Sequence, residues 1–472
     1  MVNPADPDRA WLFQAFFASA SLECARDALH RHGSHRDDSA SELFTQIDIV
    51  LRHDSVDAVG AALRDFRSRV PDLYALLLFS YLRWSGDPRL NDLRALERWL
   101  DGEPDLGVVL LRSAIGYSLA LAGRGTEAVP LLAECMEASE HAPGSPTLRQ
   151  FVQCLTLRNL GLVFRRLGHF EQAARYLHQG LCRSAASGFS LELSLTLQVA
   201  NLYWASGQYQ EALKVNANPD SRARAEAIAD THFLVRSHLN ACKCAIDLKQ
   251  TQLAWKELTE ARPFLSRERD RFAIQSAYAQ LYEGELHVQE GRFDAGLGLI
   301  QQAQTSFEAC DPPHYPGALD AKIAQVHFCL YEGDHRSALI FIRKLLDEAQ
   351  ERNCMEARSR LLLLETYILL VDDDALRVGF EDLVSRVHLI NNPALLLCAL
   401  GNLFTHALSY LGSAEQRFLL DRIHNLRPVL EVSCYEDLYR RYVTERYAFA
   451  MEKRLERERG IDFQDLLDDP SD

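Results

Sequence analysis

A register of small residues constrains this chain more than anything else in it. The stretch LGLVFRRLGHFEQA, residues 160–173, carries Gly161, Gly168 and Ala173. Positions equivalent to Gly161 recur at Gly116, Ala200, Cys242, Gly284, Val326 and Ile368, and the successive intervals are 45, 39, 42, 42, 42 and 42. Seven residues past each anchor stand Gly123, Gly168, Gly207, Lys249, Gly291, Gly333 and Ala375. Five of those seven are Gly in a chain with only 24 Gly among 472 residues, so the recurrence is not compositional chance. Twelve residues past each anchor stand Ala128, Ala173, Ala212, Ala254, Gly296, Ala338 and Phe380, all small but the last.

The spacing predicts helical hairpins. A first helix ends near the Gly, which accepts the left-handed conformation that closes helices. A second helix runs back beside it, and the small residues let the two axes approach toward the lower end of the roughly 8–10 Å packing range. Phe164 with Phe170, and Tyr203 with Tyr209, flank the turn and are expected to fill the space around it. Such hairpins cannot bury their apolar faces alone, so they stack. The expected fold is all-α, a right-handed superhelix (α-solenoid) of stacked antiparallel hairpins with a period near 42.

The expected organisation has an N-terminal helical cap over 1–70, the array over 71–430, a C-terminal helix over 431–460 and an acidic, disordered tail over 461–472. The breaker-rich stretches HAPGSP (141–146), NANPDS (216–221) and CDPPHYPG (310–317) are expected between hairpins. The C-terminal helix either closes the last hairpin or pairs two chains as a homodimer, capping being the expected role.

LRNLGLVFRRLGHFEQAARYL (157–177) and TLQVANLYWASGQYQEAL (196–213) resemble the tetratricopeptide repeat family, and GELHVQEGRFDAGLGLI and VHFCLYEGDHRSALIFI do so more loosely. That family's common period is roughly 34 residues. The longer period here is similar to the helical sensor and adaptor arrays of bacterial signalling proteins. The resemblance implies that the first helix of each hairpin lines a concave groove that binds a peptide segment of a partner. On that reading the candidate contacts are Arg158, Asn159, Arg165, Arg166, Asn201, Trp204, Arg236, Asn240 and Lys243. Asparagine amides donate and accept together, so they can hold an extended backbone; Arg and Lys can engage a carboxylate. The positions only partly match the family's carboxylate-clamp pattern. Two plainer readings stay open: a solvated polar face, and arginines 165 and 166 capping a helix C-terminus against its dipole.

Chemistry leaves no constellation. There is no phosphate-binding Gly-rich loop, HExxH, G-x-S-x-G or CxxC pair, so no catalytic residue, metal ligand or cofactor is assigned. HRHGSHRDD (30–38) holds metal-ligating residue types but reads first as a polar loop. A net charge of −15 argues against a direct grip on nucleic acid. The most apolar stretch, LLLLETYILLV (361–371), is too short for a span of about 20 residues and contains Glu365, so no membrane partner is expected. Eleven scattered cysteines, and no secretory leader at the N-terminus, fit buried free thiols in a reducing, cytoplasmic setting. The expected function is a non-enzymatic adaptor or regulator that binds a peptide of another protein. The alternative is a sensor whose superhelix changes shape on binding a peptide or small molecule.

Overall fold

Every Gly that stands seven residues past an anchor closes a helix as the spacing requires. The φ angles at Gly123, Gly168, Gly207, Gly291 and Gly333 are 77°, 80°, 82°, 79° and 76°, and Lys249, the one non-Gly among them, is held at 60°. The computed structural model describes residues 38–371 apart from 54, 71–72, 85–89, 101–104, 268–271, 311–312 and 353. It also describes positions 13, 16–18, 385–387, 389–390, 396 and 399–400. The helix expected over 431–460, the tail, the His-rich segment up to residue 37, and the register positions 375 and 380 lie outside the described residues.

Among the described residues the regular elements are α-helices. Four precede the repeats: α1 (Asp38–Leu51), α2 (Val56–Arg69), α3 (Tyr74–Trp84) and α4 (Leu90–Trp99). Hairpins follow, pairing α5 (Leu106–Leu121) with α6 (Gly125–His141) and α7 (Pro146–Arg166) with α8 (Phe170–Ser187). Helix α9 (Leu191–Ala205) is followed by α10 (Tyr209–Asn216) and α11 (Pro219–Ala227). The series continues with α12 (Thr231–Asp247) and α13 (Thr251–Arg267), then α14 (Ala273–Gln289) and α15 (Phe293–Glu308). Next come α16 (Tyr315–Tyr331) and α17 (His335–Glu351), and finally α18 (Met355–Val371). This is the all-α hairpin array expected from the register. No described helix is long and apolar enough to cross a membrane.

The helices form two compact units. The first takes Met1–Leu202, Ala212–Gln325 and Glu351–Cys354; the second takes Tyr203–Glu211, Val326–Gln350 and Met355–Asp472.

Small residues sit where the two helices of a hairpin touch. Ala128, Ala173, Ala212, Ala254 and Ala338 are each 0% exposed. A close approach of this kind joins α14 and α15. A Cβ on Gly284 would lie 2.9 Å from the carbonyl oxygen of Gly296, and one on Gly296 would lie 2.8 Å from that of Gly284. Phe164 and Phe170 are both partly buried against the core around the turn, and Phe164 also stacks on Tyr176, with centroids 5.4 Å apart. Residue 176 lies on the same returning face of α8, one turn past Ala173, where a ring can lie flat against Phe164.

NANPDS does not separate hairpins. It breaks the returning helix into α10 and α11, because Pro219 at the first helical turn supplies no backbone donor. Asn218 caps the restart by accepting from the Ser221 amide at 2.9 Å. A buried network anchors α11: Arg222 donates to Glu257 Oε2 at 2.8 Å and to Ser237 Oγ at 3.0 Å. His238 Nδ1 meets the same Glu257 oxygen at 2.8 Å.

An N-terminal aromatic packs on the first repeats. The Phe17 ring stacks on Phe151 with centroids 3.9 Å apart and meets Phe79 and Phe189 edge-on. Its carbonyl accepts from Ser190 N at 2.8 Å and from Ser190 Oγ at 3.0 Å.

The described cysteines are free thiols. Cys135, Cys154, Cys242 and Cys244 are buried as expected, and Cys182 is exposed. Burial pushes the Cys135 thiol up to about 12 and Cys154 to about 11, so neither is a nucleophile near neutral pH.

Candidate functional site

Within the first unit, α12 sets Arg236, Asn240 and Lys243 on one stripe, since residues four and three apart share a helix face. Asn240 Nδ2 donates across the repeat boundary to Asn201 Oδ1 on α9, at 3.0 Å. Both asparagines are half-buried. The pair spends one donor group and one acceptor, leaving the Asn201 amide nitrogen and the Asn240 carbonyl oxygen open. Turning both amides over exchanges the roles and leaves the same count. One turn along α12, Arg236 is half-buried and has no hydrogen bond or ion pair to a described residue.

His314 links Arg236 to a second cation and a second ring. Arg166, at the end of α7, donates to the Ala120 carbonyl in the last turn of α5 at 2.8 Å, and so caps the neighbouring helix rather than its own. Tyr278 on α14 places its hydroxyl 3.2 Å from His314 Nε2. Burial first, and then the charges of Arg166 and Arg236, hold the His314 pKa down to about 4. The imidazole is therefore neutral near pH 7, and both guanidinium groups lie close enough to act on it. Sequence reading missed Tyr278 and His314. The His314 signal was concealed in a Pro-rich connection that looked like a plain linker.

Other expected contacts are committed elsewhere. Asn159 is 1% exposed, and its amide donates to the Ser113 carbonyl and hydroxyl, both at 3.0 Å. It ties α7 to α5 and offers nothing to a ligand. Arg165 is buried as well. Arg158 lies over the Tyr117 ring at 5.3 Å and donates to Asn159 Oδ1 and Ser194 Oγ. Lys243 is claimed by Glu285, at 3.0 Å, and by Asp247, at 3.1 Å. Trp204 belongs to the second unit, where Arg360 stands 5.7 Å over its ring. The structure thus leaves Asn201, Arg236, Asn240 and Arg166 half-buried and turns Asn159, Arg165 and Lys243 into contacts within the protein.

A cluster of metal-ligating types, His238, Glu257 and Glu260, was not read from the sequence. Arg222 already holds Glu257 through both carboxylate oxygens, at 3.4 and 2.8 Å, so the cluster is an ion network in its own right.

One of these hairpins is similar to the tetratricopeptide repeat. The sequence model described as Tetratricopeptide repeat matches residues 156–187, the α7–α8 hairpin. Two solved structures share the fold at a TM-score of 0.53 and 14% identity, each over 83% of this chain. One is a Rap protein complexed with Competence and Sporulation Factor, covered over 99% of its length. The other is NprR in complex with its cognate peptide NprX, covered over 100%. No curated protein matches the chain in sequence.

Proposed function

We propose that the chain is a non-enzymatic regulator or adaptor that binds an extended peptide segment along the first-helix wall of its first unit. The observation that carries this reading is the Asn201–Asn240 pair, which leaves one donor and one acceptor open side by side. That is the complement of one peptide unit, which offers one carbonyl and one N–H. Arg236, without a hydrogen bond or ion pair among the described residues, supplies a charge-assisted contact for an acidic side chain or a free carboxylate beside it. Arg166 adds positive potential, acting with Arg236 on the neutral His314 imidazole that meets the Tyr278 hydroxyl. The same fold holds the cognate peptide NprX in NprR and is complexed with Competence and Sporulation Factor in the Rap protein.

The test is affinity selection from a random peptide library on the purified chain, followed by fluorescence anisotropy on the winners. Enriched peptides should carry a carboxylate. The double variant Asn201→Ala/Asn240→Ala should weaken them on the order of tenfold or more, from two lost hydrogen bonds. Arg236→Ala should weaken acidic peptides and leave their amide analogues unchanged. Enriched peptides that bind both folded variants as tightly as wild type would remove the site from this face.

A further inference from the structure

Two turns of the register share a backbone conformation and differ in what surrounds them. Gly123 closes α5 at a φ of 77°, and Gly291 closes α14 at 79°. A Cβ on Gly291 would meet nothing within 4 Å, whereas one on Gly123 would lie 2.6 Å from the Arg352 carbonyl oxygen. Residues Glu351–Cys354 belong to the first unit. A backbone from the last residues of that unit therefore lies against the turn of its first hairpin.

Arg352 reaches the start of α16 as well, which lies in the same unit. Its guanidinium stands 4.8 Å over the Tyr315 ring, and it has no hydrogen bond or ion pair to a described residue. One exposed residue thus bridges the α5–α6 turn and α16. The turn is complete without it. Gly123 N donates to the Ala120 carbonyl at 3.2 Å, and Arg124 N to the Leu119 carbonyl at 2.8 Å. Parting Arg352 from Gly123 breaks neither bond, and cation–π contacts at exposed sites are weak.

We propose that Arg352 is a clasp that ties α16 to the α5–α6 turn and opens with the hairpins intact. Stacked repeats hold together through their nearest neighbours, so a contact from the first hairpin to α16 is an addition to the array and not one of its supports. Closed, it fixes the spacing between the two ends of the hairpin series in this unit. Open, it lets α16 move away from α5 while the hairpins between them keep their packing. Glycine is then needed twice at position 123, for the left-handed turn and for room at the clasp. Opening also uncovers the Arg352 carbonyl, the scissile carbonyl for a protease that cuts after arginine. The clasp stands independently of the peptide face.

The experiment is brief tryptic digestion of the full chain, with fragments followed by mass spectrometry. Cleavage of a folded chain tracks the population of its open form when opening and closing are fast. Gly123→Asn puts a Cβ where it meets the Arg352 oxygen. Gly291→Asn carries the same left-handed backbone, which Asn tolerates, but has open space around it. The ratio of the two isolates the clasp. Cleavage after Arg352 should be about fivefold to 150-fold faster in Gly123→Asn than in Gly291→Asn. Tyr315→Leu, which leaves both turns as they are, should be cut there about twofold to fivefold faster than wild type. Cleavage after Arg165, buried in α7, should stay at the wild-type rate throughout. Equal rates after Arg352 in the two Asn variants overturn the proposal, as does a wild-type rate in Tyr315→Leu. A rise after Arg352 that is matched after Arg165 overturns it too, because the hairpins would then be melting with the clasp.

Discussion

Replacing Gly284 by Ala and, separately, Gly298 by Ala makes one chemical change twice in the same hairpin. Gly298 sits in α15 with nothing within 4 Å of the place its Cβ would take. There the substitution only improves helix propensity, and it should stabilise by about 1 kcal/mol. Gly284 gains the same propensity, but its new Cβ would lie 2.9 Å from a backbone oxygen and 2.8 Å from Ile300 Cγ1. The side chain can rotate; the carbonyl moves only if the helices part. Overpacking of this kind costs about 1–3 kcal/mol. Subtracting one variant from the other cancels propensity and isolates the close contact, so Gly284→Ala should fall below Gly298→Ala by about 1–3 kcal/mol. Repeat arrays lose all-or-none unfolding, so native-state hydrogen exchange is the better assay. Amides of α14 and α15 should exchange about fivefold to 150-fold faster in Gly284→Ala than in Gly298→Ala. Equal protection in the two would show that the backbones do not meet at Gly284 and Gly296, and the hairpin geometry derived from the register would fail with it.

Two further outcomes follow from buried charge. Glu257→Gln leaves Arg222 without its counter-charge and should destabilise by about 3–5 kcal/mol, read from thermal or urea melts, whereas Glu257→Leu with Arg222→Leu should cost far less. Burial would raise the Glu257 pKa, but hydrogen bonds from His238 and Arg222 outweigh it and hold the group below its ordinary value. Its contribution is thus present above the unfolded carboxylate pKa and is lost as pH falls through the lowered folded one. His314 runs from an ordinary 6.5 unfolded to about 4 folded. Between those values only the unfolded chain takes up the proton, so stability falls as pH drops through that window. The melting temperature of wild type should fall more from pH 7 to pH 5 than that of His314→Asn, and parallel losses would refute the buried, neutral imidazole.

The turns were legible because a positive φ at a fixed offset leaves few residues but Gly, and the closing positions could be counted directly. Lys249 adopts the same conformation without being Gly, and there only the neighbouring repeats gave the position away. The break between α10 and α11 was not legible in kind: a cap residue followed by Pro starts a new helix equally well after a linker or in the middle of an old one. The site was half legible. Asn159 and Asn240 stand at the same offset, two residues before their anchors, yet only Asn240 is open. The difference lies in the preceding repeat. Ser113 offers Asn159 a hydroxyl and a carbonyl, whereas the equivalent position facing Asn240 is the buried, apolar Leu197, so that amide turns to Asn201 instead.

Phe17 fixes an order of events during synthesis. Its carbonyl bonds a residue 173 positions later, and its ring lies among Phe79, Phe151 and Phe189. Hairpins close from near neighbours and can form as they leave the ribosome. The N-terminal segment cannot dock until residue 190 has emerged, and at about 5–20 residues per second that is a wait of about 9–35 s. For that interval the nascent chain carries an unburied aromatic segment and a half-built acceptor for it. The contact that joins Phe17 to the first repeats therefore waits for the α7–α8 hairpin it packs on, and the interval before it is when a chaperone has most to bind.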